Sequence, residues 1–111
     1  MAKIPAEIIE ILRRYLNDVE KICHVDKAFI FGSYAHGRAG KHSDIDMAIF
    51  SRNVNDGNRL EIMTEAVALI NKFKLDIQQL VFSFDDYFSK DNDFISTEII
   101  RDGFELTEAT H

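Results

Sequence analysis

Residues 31–50 read FGSYAHGRAGKHSDIDMAIF, and the fold turns on how this stretch is parsed. The apolar run Ala28-Phe29-Ile30-Phe31 stops abruptly at Gly32-Ser33. After ten intervening residues a second apolar run opens on Asp44 and Asp46, one residue apart. Short apolar runs bounded by glycine and polar clusters read as buried strands. Ser33 is a good helix cap, Tyr34-Ala35-His36 can form one helical turn, and Gly37 ends it. Arg38 to His42 is polar loop, so the stretch is a strand, a turn and a second strand over Asp44 to Phe50.

On the N-terminal side, Ile8, Leu12, Tyr15, Val19 and Ile22 recur at helical spacing, with Pro5 tolerated near the first turn. Lys27 to Phe31 is the first strand. On the C-terminal side, Ser51 to Asn58 is a turn-rich connection. Leu60, Met63, Val67, Ile70 and Phe73 predict a second amphipathic helix, and Leu75 to Phe82 a third strand. Phe84 to Phe88 can form a short turn, Asp93 to Arg101 is predicted helical with Gly103 as its stop, and Phe104 to Leu106 can add an edge strand. The expectation is one α/β (α+β) domain over residues 1–111, with a small mixed β-sheet packed against helices.

This order makes a geometric statement. A short connection favours an antiparallel pair, so the end of strand one lies beside the start of strand two. A helical crossover favours a parallel pair, whose starts lie together. Gly32-Ser33, Asp44 with Asp46, and the opening of strand three therefore meet at one sheet edge. At that third position stands Asp76.

Asp44 and Asp46 are two apart on a strand, so their side chains share a face at a spacing of about 7 Å. Like charges so placed repel, and neither is comfortably buried bare. A divalent cation removes both objections, and hard carboxylate oxygens suit Mg²⁺ or Mn²⁺, which take their remaining ligands from water and a phosphate chain. Asp76 would complete a two-metal arrangement. Gly32 lets backbone approach a phosphate closely, and Ser33 offers an N–H and a hydroxyl. Arg38 and Lys41 are candidate cationic contacts to the same triphosphate. Alone, a Gly-Ser turn or an Asp-x-Asp pair says little; joined at this spacing in a strand–turn–strand they point to a nucleotide and metal site. His36 and His42 read as polar loop residues, Cys23 as a small buried apolar one. Phe84, Tyr87, Phe88, Phe94 and Phe104 read as core or a partner surface.

Composition narrows the classes. The net charge of -6 sits entirely between Ser83 and His111, where eight acids face Lys90 and Arg101. Such a chain is a poor non-specific ligand for nucleic acid, whose affinity comes mainly from Lys and Arg. Nothing approaches the roughly 20 apolar residues of a membrane span. Glu7 and Glu10 interrupt the N-terminal apolar residues, unlike a signal peptide, and one cysteine forms no internal disulfide. The expected location is cytoplasmic.

Gly32-Ser33, ten intervening residues and Asp44-x-Asp46 resemble the G-S-x10-D-x-D signature of the minimal nucleotidyltransferases, within the polymerase-beta-like superfamily. Ala35 and Gly37 match the fuller G-S-x-A-x-G form. The resemblance covers nearly the whole chain. It implies Mg²⁺-dependent transfer of a nucleoside monophosphate, usually AMP from ATP, to a hydroxyl, with release of pyrophosphate. It places the β- and γ-phosphates at Gly32 and Ser33, the metals at Asp44 and Asp46, and the third carboxylate, which helps activate the acceptor, at Asp76. Tyr34 departs from the arginine many relatives carry after Gly-Ser, removing one phosphate contact for which Arg38 can compensate. Stand-alone members are often antitoxins paired with a HEPN-domain protein, and some transfer AMP to a tyrosine on that partner. The chain has no room for the extra helical domain that holds the acceptor in larger relatives, so a HEPN-type subunit or a second copy would complete the cleft. The alternative is a binding subunit that neutralises a HEPN partner by steric contact, with catalysis secondary or absent.

Overall fold

The structure is a computed structural model that describes residues 4–37, 44–73, 75–89 and 91–107. Helix α1 spans Ala6–Val19 and starts directly after Pro5, whose extended backbone leads into the first turn. It buries Leu12, Tyr15, Leu16 and Val19, the stripe that the helical spacing of apolar residues predicts. Strand β1 (Lys27–Phe31) and strand β2 (Ile45–Ser51) follow. Helix α2 (Arg59–Ile70) crosses over to strand β3 (Ile77–Ser83). A short helix α3 (Phe84–Phe88), a helix α4 (Phe94–Arg101) and a two-residue strand β4 (Phe104–Glu105) complete the chain.

The sheet order is β3-β2-β1-β4. β1 and β2 are antiparallel, with Phe31 opposite Asp46, while β2 and β3 are parallel, with Ile45 opposite Ile77. The mixed α/β fold and both strand directions agree with the expectation from connection length. Strands β2 and β3 begin one and two residues later than their apolar runs suggest, a shift within the usual uncertainty of strand ends.

Period-two alternation divides the strand side chains between two cores. On one face Ile30, Ile45, Met47, Ile49, Ile77 and Val81 pack against α1 and α2. On the other Phe29, Phe31, Ala48 and Phe50 pack against Ile95 and Ile99 of α4, with Tyr87 of α3 closing over them. Cys23 is buried and carries a free thiol, as its apolar reading anticipates. Asp44, Asp46, Ala48 and Phe50 share parity, so the two aspartates belong to the α3/α4 face.

Two features depart from the expected pattern. In α2 the buried residues are Ile62 and Ala66, whereas Leu60 and Val67, predicted on the core face, are 78 % and 52 % exposed. Apolar residues surround this helix, so periodicity alone does not choose its inner face. The other departure is α4, which is wound as a π-helix. Its end is set by Gly103, whose N–H donates to the Ile99 carbonyl at 3.0 Å. A Cβ at Gly103 would lie 3.0 Å from the Ile30 carbonyl oxygen, so this glycine lets the chain turn tightly against β1 into β4.

Candidate functional site

The site is assembled where β1 ends and β2 and β3 begin. Phe31 closes β1, and Gly32 turns the chain at φ +74°, a left-handed conformation that favours glycine. The Gly32 carbonyl accepts the His36 N–H at 3.1 Å, which closes one helical turn over the residues between. Gly37, at φ +73°, ends it. The turn expected after Ser33 is therefore present. Tyr34, the residue after Gly32-Ser33, is half-buried and packs against the larger core beneath α1 and α2.

The aspartates come from two adjacent strands. Asp46 lies opposite Phe31 on one side and Gln78 on the other. The Ile45 N–H donates to the Asp76 carbonyl at 2.8 Å, which fastens the start of β2 to the residue preceding β3. Asp44 and Asp76 thus stand side by side just ahead of their strands, both exposed. Carried back one residue, strand alternation puts all three acids on the α3/α4 face.

Gly32 and Asp46 are in intimate contact. A Cβ built on Gly32 would lie 3.2 Å from Asp46 Cγ and closer still to its Oδ2. The missing side chain at residue 32 is what lets the Asp46 carboxylate sit against the turn. Burial pushes the Asp46 carboxyl above its ordinary value, and the neighbouring Asp44 charge adds to the rise. A half-buried carboxylate beside another carboxylate is destabilised without a cation. The donor chemistry of the three acids, all hard oxygen, fits Mg²⁺ or Mn²⁺. They do not bring one oxygen each within 4.8 Å of one another. As they stand the three therefore cannot all ligate a single ion of this class, whose ligands lie at roughly 2.1 Å, and each ion would take its remaining ligands from water and phosphate oxygens.

Of the residues nominated from sequence, Gly32, Ser33, Asp44, Asp46 and Asp76 meet at this edge. Arg38 and Lys41, the candidate phosphate contacts, lie outside the described residues, as does His42. His36, read from sequence as a polar loop residue, lies in the turn, with its Nε2 3.4 Å from Glu98 Oε2 of α4. Glu98 is 62 residues from His36 in sequence, so no local pattern joins the two; its spacing of four to Asp102 is the only local signal.

The profile of the family described as Polymerase beta, Nucleotidyltransferase matches residues 6–109. No curated protein matches the chain in sequence. Among solved structures, a toxin–antitoxin with AMP-PNP is similar at TM-score 0.58 and 19 % identity, over 88 % of this chain and 71 % of that one. A putative nucleotidyltransferase from Sulfolobus solfataricus is similar at TM-score 0.58 and 16 % identity, over 95 % and 89 %. The toxin–antitoxin MntA–HpeT is similar at TM-score 0.49 and 18 % identity, over 90 % and 69 %.

Proposed function

The chain belongs to the polymerase beta nucleotidyltransferase family, and from that premise we propose that it transfers AMP from ATP to a hydroxyl on a HEPN-type protein partner. The observation that carries this reading is the closure of Gly32 on Asp46, with Asp44 and Asp76 beside it on one face of the sheet edge. The backbone of Gly32 and the N–H and hydroxyl of Ser33 would bind the β- and γ-phosphates. Asp44, Asp46 and Asp76 would hold Mg²⁺ or Mn²⁺. The chemistry such an ion would supply is neutralisation of the phosphate chain and a lowered pKa of the attacking hydroxyl. Exposed Asp76 would orient that hydroxyl for attack on the α-phosphorus and accept its proton. The new O–P bond forms as the bond to the β-phosphate oxygen breaks, and pyrophosphate leaves. Arg38 and Lys41 remain candidates for steadying the triphosphate.

The partner assignment is supported by the minimal-nucleotidyltransferase signature in Gly32 to Asp46. It accords with the fold shared with a toxin–antitoxin assembly with AMP-PNP. The acceptor class proposed is a tyrosine hydroxyl. Incubating the protein with α-labelled ATP, Mg²⁺ and a HEPN-domain protein encoded beside it should label that partner. Asp44→Ala and Asp46→Ala should each slow labelling by at least about a hundredfold, since even outer-shell partners of a metal contribute on the order of 10–100-fold. Undiminished labelling by either variant would overturn the metal assignment.

A second reading, steric neutralisation of the partner, is favoured by a separate observation. Phe88 and Phe94 are 65 % and 44 % exposed and stand among exposed Asp85, Asp91 and Asp93. Such a flank can hold a partner without chemistry. Neutralisation that survives Asp44→Ala and Asp46→Ala in full would favour it over transfer.

A further inference from the structure

The π-helix α4 carries Glu98 within its body and is capped by Asp102, whose N–H donates to the Thr97 carbonyl at 3.0 Å, five residues back. π winding is the rarest helical form and is found frequently at functional sites. Both carboxylates approach His36, on the turn that follows Gly32. One ligand atom from each of His36, Glu98 and Asp102 lies within 4.8 Å of the other two. Among the described residues this is the only group of three or more His, Cys, Asp or Glu side chains that comes so close together.

The spacing inside the group discriminates between uses. His36 Nε2 and Glu98 Oε2 are 3.4 Å apart, longer than the roughly 2.7–3.2 Å of a good N–H···O bond. Two ligands each roughly 2.0–2.1 Å from a tetrahedral ion stand about 3.4 Å apart. One imidazole with two carboxylates also suits Zn²⁺ and its first-row neighbours, whereas Mg²⁺ keeps to oxygen and water. Asp102 now pairs with Arg101 at 3.0 Å, but the Arg101 side chain is 69 % exposed and can turn to solvent. We propose that His36, Glu98 and Asp102 form a site for a zinc-class transition-metal ion, separate from the aspartates of the sheet edge. Because the His36 N–H is bonded to the Gly32 carbonyl at 3.1 Å, an ion held there ties the Gly32–Gly37 turn to α4 and stiffens the turn next to Asp46.

The test uses Co²⁺ as a coloured stand-in for Zn²⁺, on the Asp44→Asn/Asp46→Asn background, which leaves a single carboxylate, Asp76, at the sheet edge. That double variant should bind one Co²⁺ with the visible bands of a low-coordinate, nitrogen-containing site, displaced by Zn²⁺ and not by Mg²⁺. Adding His36→Gln or Glu98→Gln should weaken binding at least about tenfold with the circular dichroism unchanged, while His24→Gln, whose imidazole pairs with Glu20 and Asp26 instead, should leave it intact. Bands absent from the double variant, retained at full affinity in both His36→Gln and Glu98→Gln, or removed by His24→Gln would each overturn the site. None of these readouts depends on nucleotide transfer.

Discussion

At the scale of single residues, Gly32 and Asp46 depend on each other. Gly32 combines a left-handed backbone with a carboxylate packed where its side chain would be. Gly32→Ala should cost about 1–2 kcal/mol for the conformation alone and displace Asp46 as well. The expected outcome is a lower thermal midpoint together with loss of transfer activity, measured on the same preparation. Asp46 should show the opposite relation between stability and activity. Its carboxyl titrates above the ordinary value of 3.8 because it is partly desolvated and lies near the Asp44 charge. Between that value and the raised one, the native state binds more protons than the unfolded state. Stability of the metal-free protein therefore falls as pH rises through this window, and the loss is complete above it. Asp46→Asn should remove this dependence and raise the midpoint at pH 7 in EDTA on the order of a few degrees, while abolishing transfer. A variant less stable than the parent at pH 7 would contradict the electrostatic account.

At the scale of elements, α2 shows how a helix with apolar residues all round is oriented by its neighbours. Ile62 and Ala66 face Val81 and the rest of the larger core, and the Tyr15 hydroxyl donates to the Ala66 carbonyl at 2.7 Å, fastening α1 to α2. Ile62→Ala should therefore cost about 2–4 kcal/mol in denaturant unfolding. Leu60→Ser and Val67→Ser should each stay within about 0.5 kcal/mol, although the helical spacing of the sequence puts them with the core. A large loss at Leu60 would mean that α2 is rotated from the orientation described. Helix α4 is oriented by different constraints: Ile95 and Ile99 are held in the aromatic core and Gly103 is pressed on β1.

At the scale of the whole molecule, the acidic excess and the exposed aromatics fall on the C-terminal part of the chain, which also supplies α3 and α4. With the sheet edge proposed to hold the nucleotide, this flank is where a partner of opposite charge would sit. Phe88→Ser should then weaken the affinity for the proposed HEPN-type partner by about tenfold or more, and added salt should weaken it further. Calorimetry with AMP-PNP and Mg²⁺ should give the same nucleotide affinity for Phe88→Ser as for the parent. Stability should also be unchanged, since Phe88 is 65 % exposed. Equal partner affinity for parent and variant would move the docking surface elsewhere.

Local spacing was sufficient for much of this. The stretch from Phe31 to Phe50 specified a strand, a glycine turn and a second strand, because a period of two and an abrupt Gly-Ser stop are properties of neighbouring residues. The same period set Asp44 and Asp46 on one face, and connection lengths brought Asp76 beside them, as the Ile45–Asp76 hydrogen bond shows. Other features needed the folded chain. The inner face of α2, the packing of Tyr34 into the core, the π winding of α4 and the meeting of His36 with Glu98 depend on contacts between residues far apart in sequence. The physical reason is that chain geometry constrains a residue's near neighbours, while burial and long-range contacts are fixed only when helices and sheet pack and one arrangement fills the core.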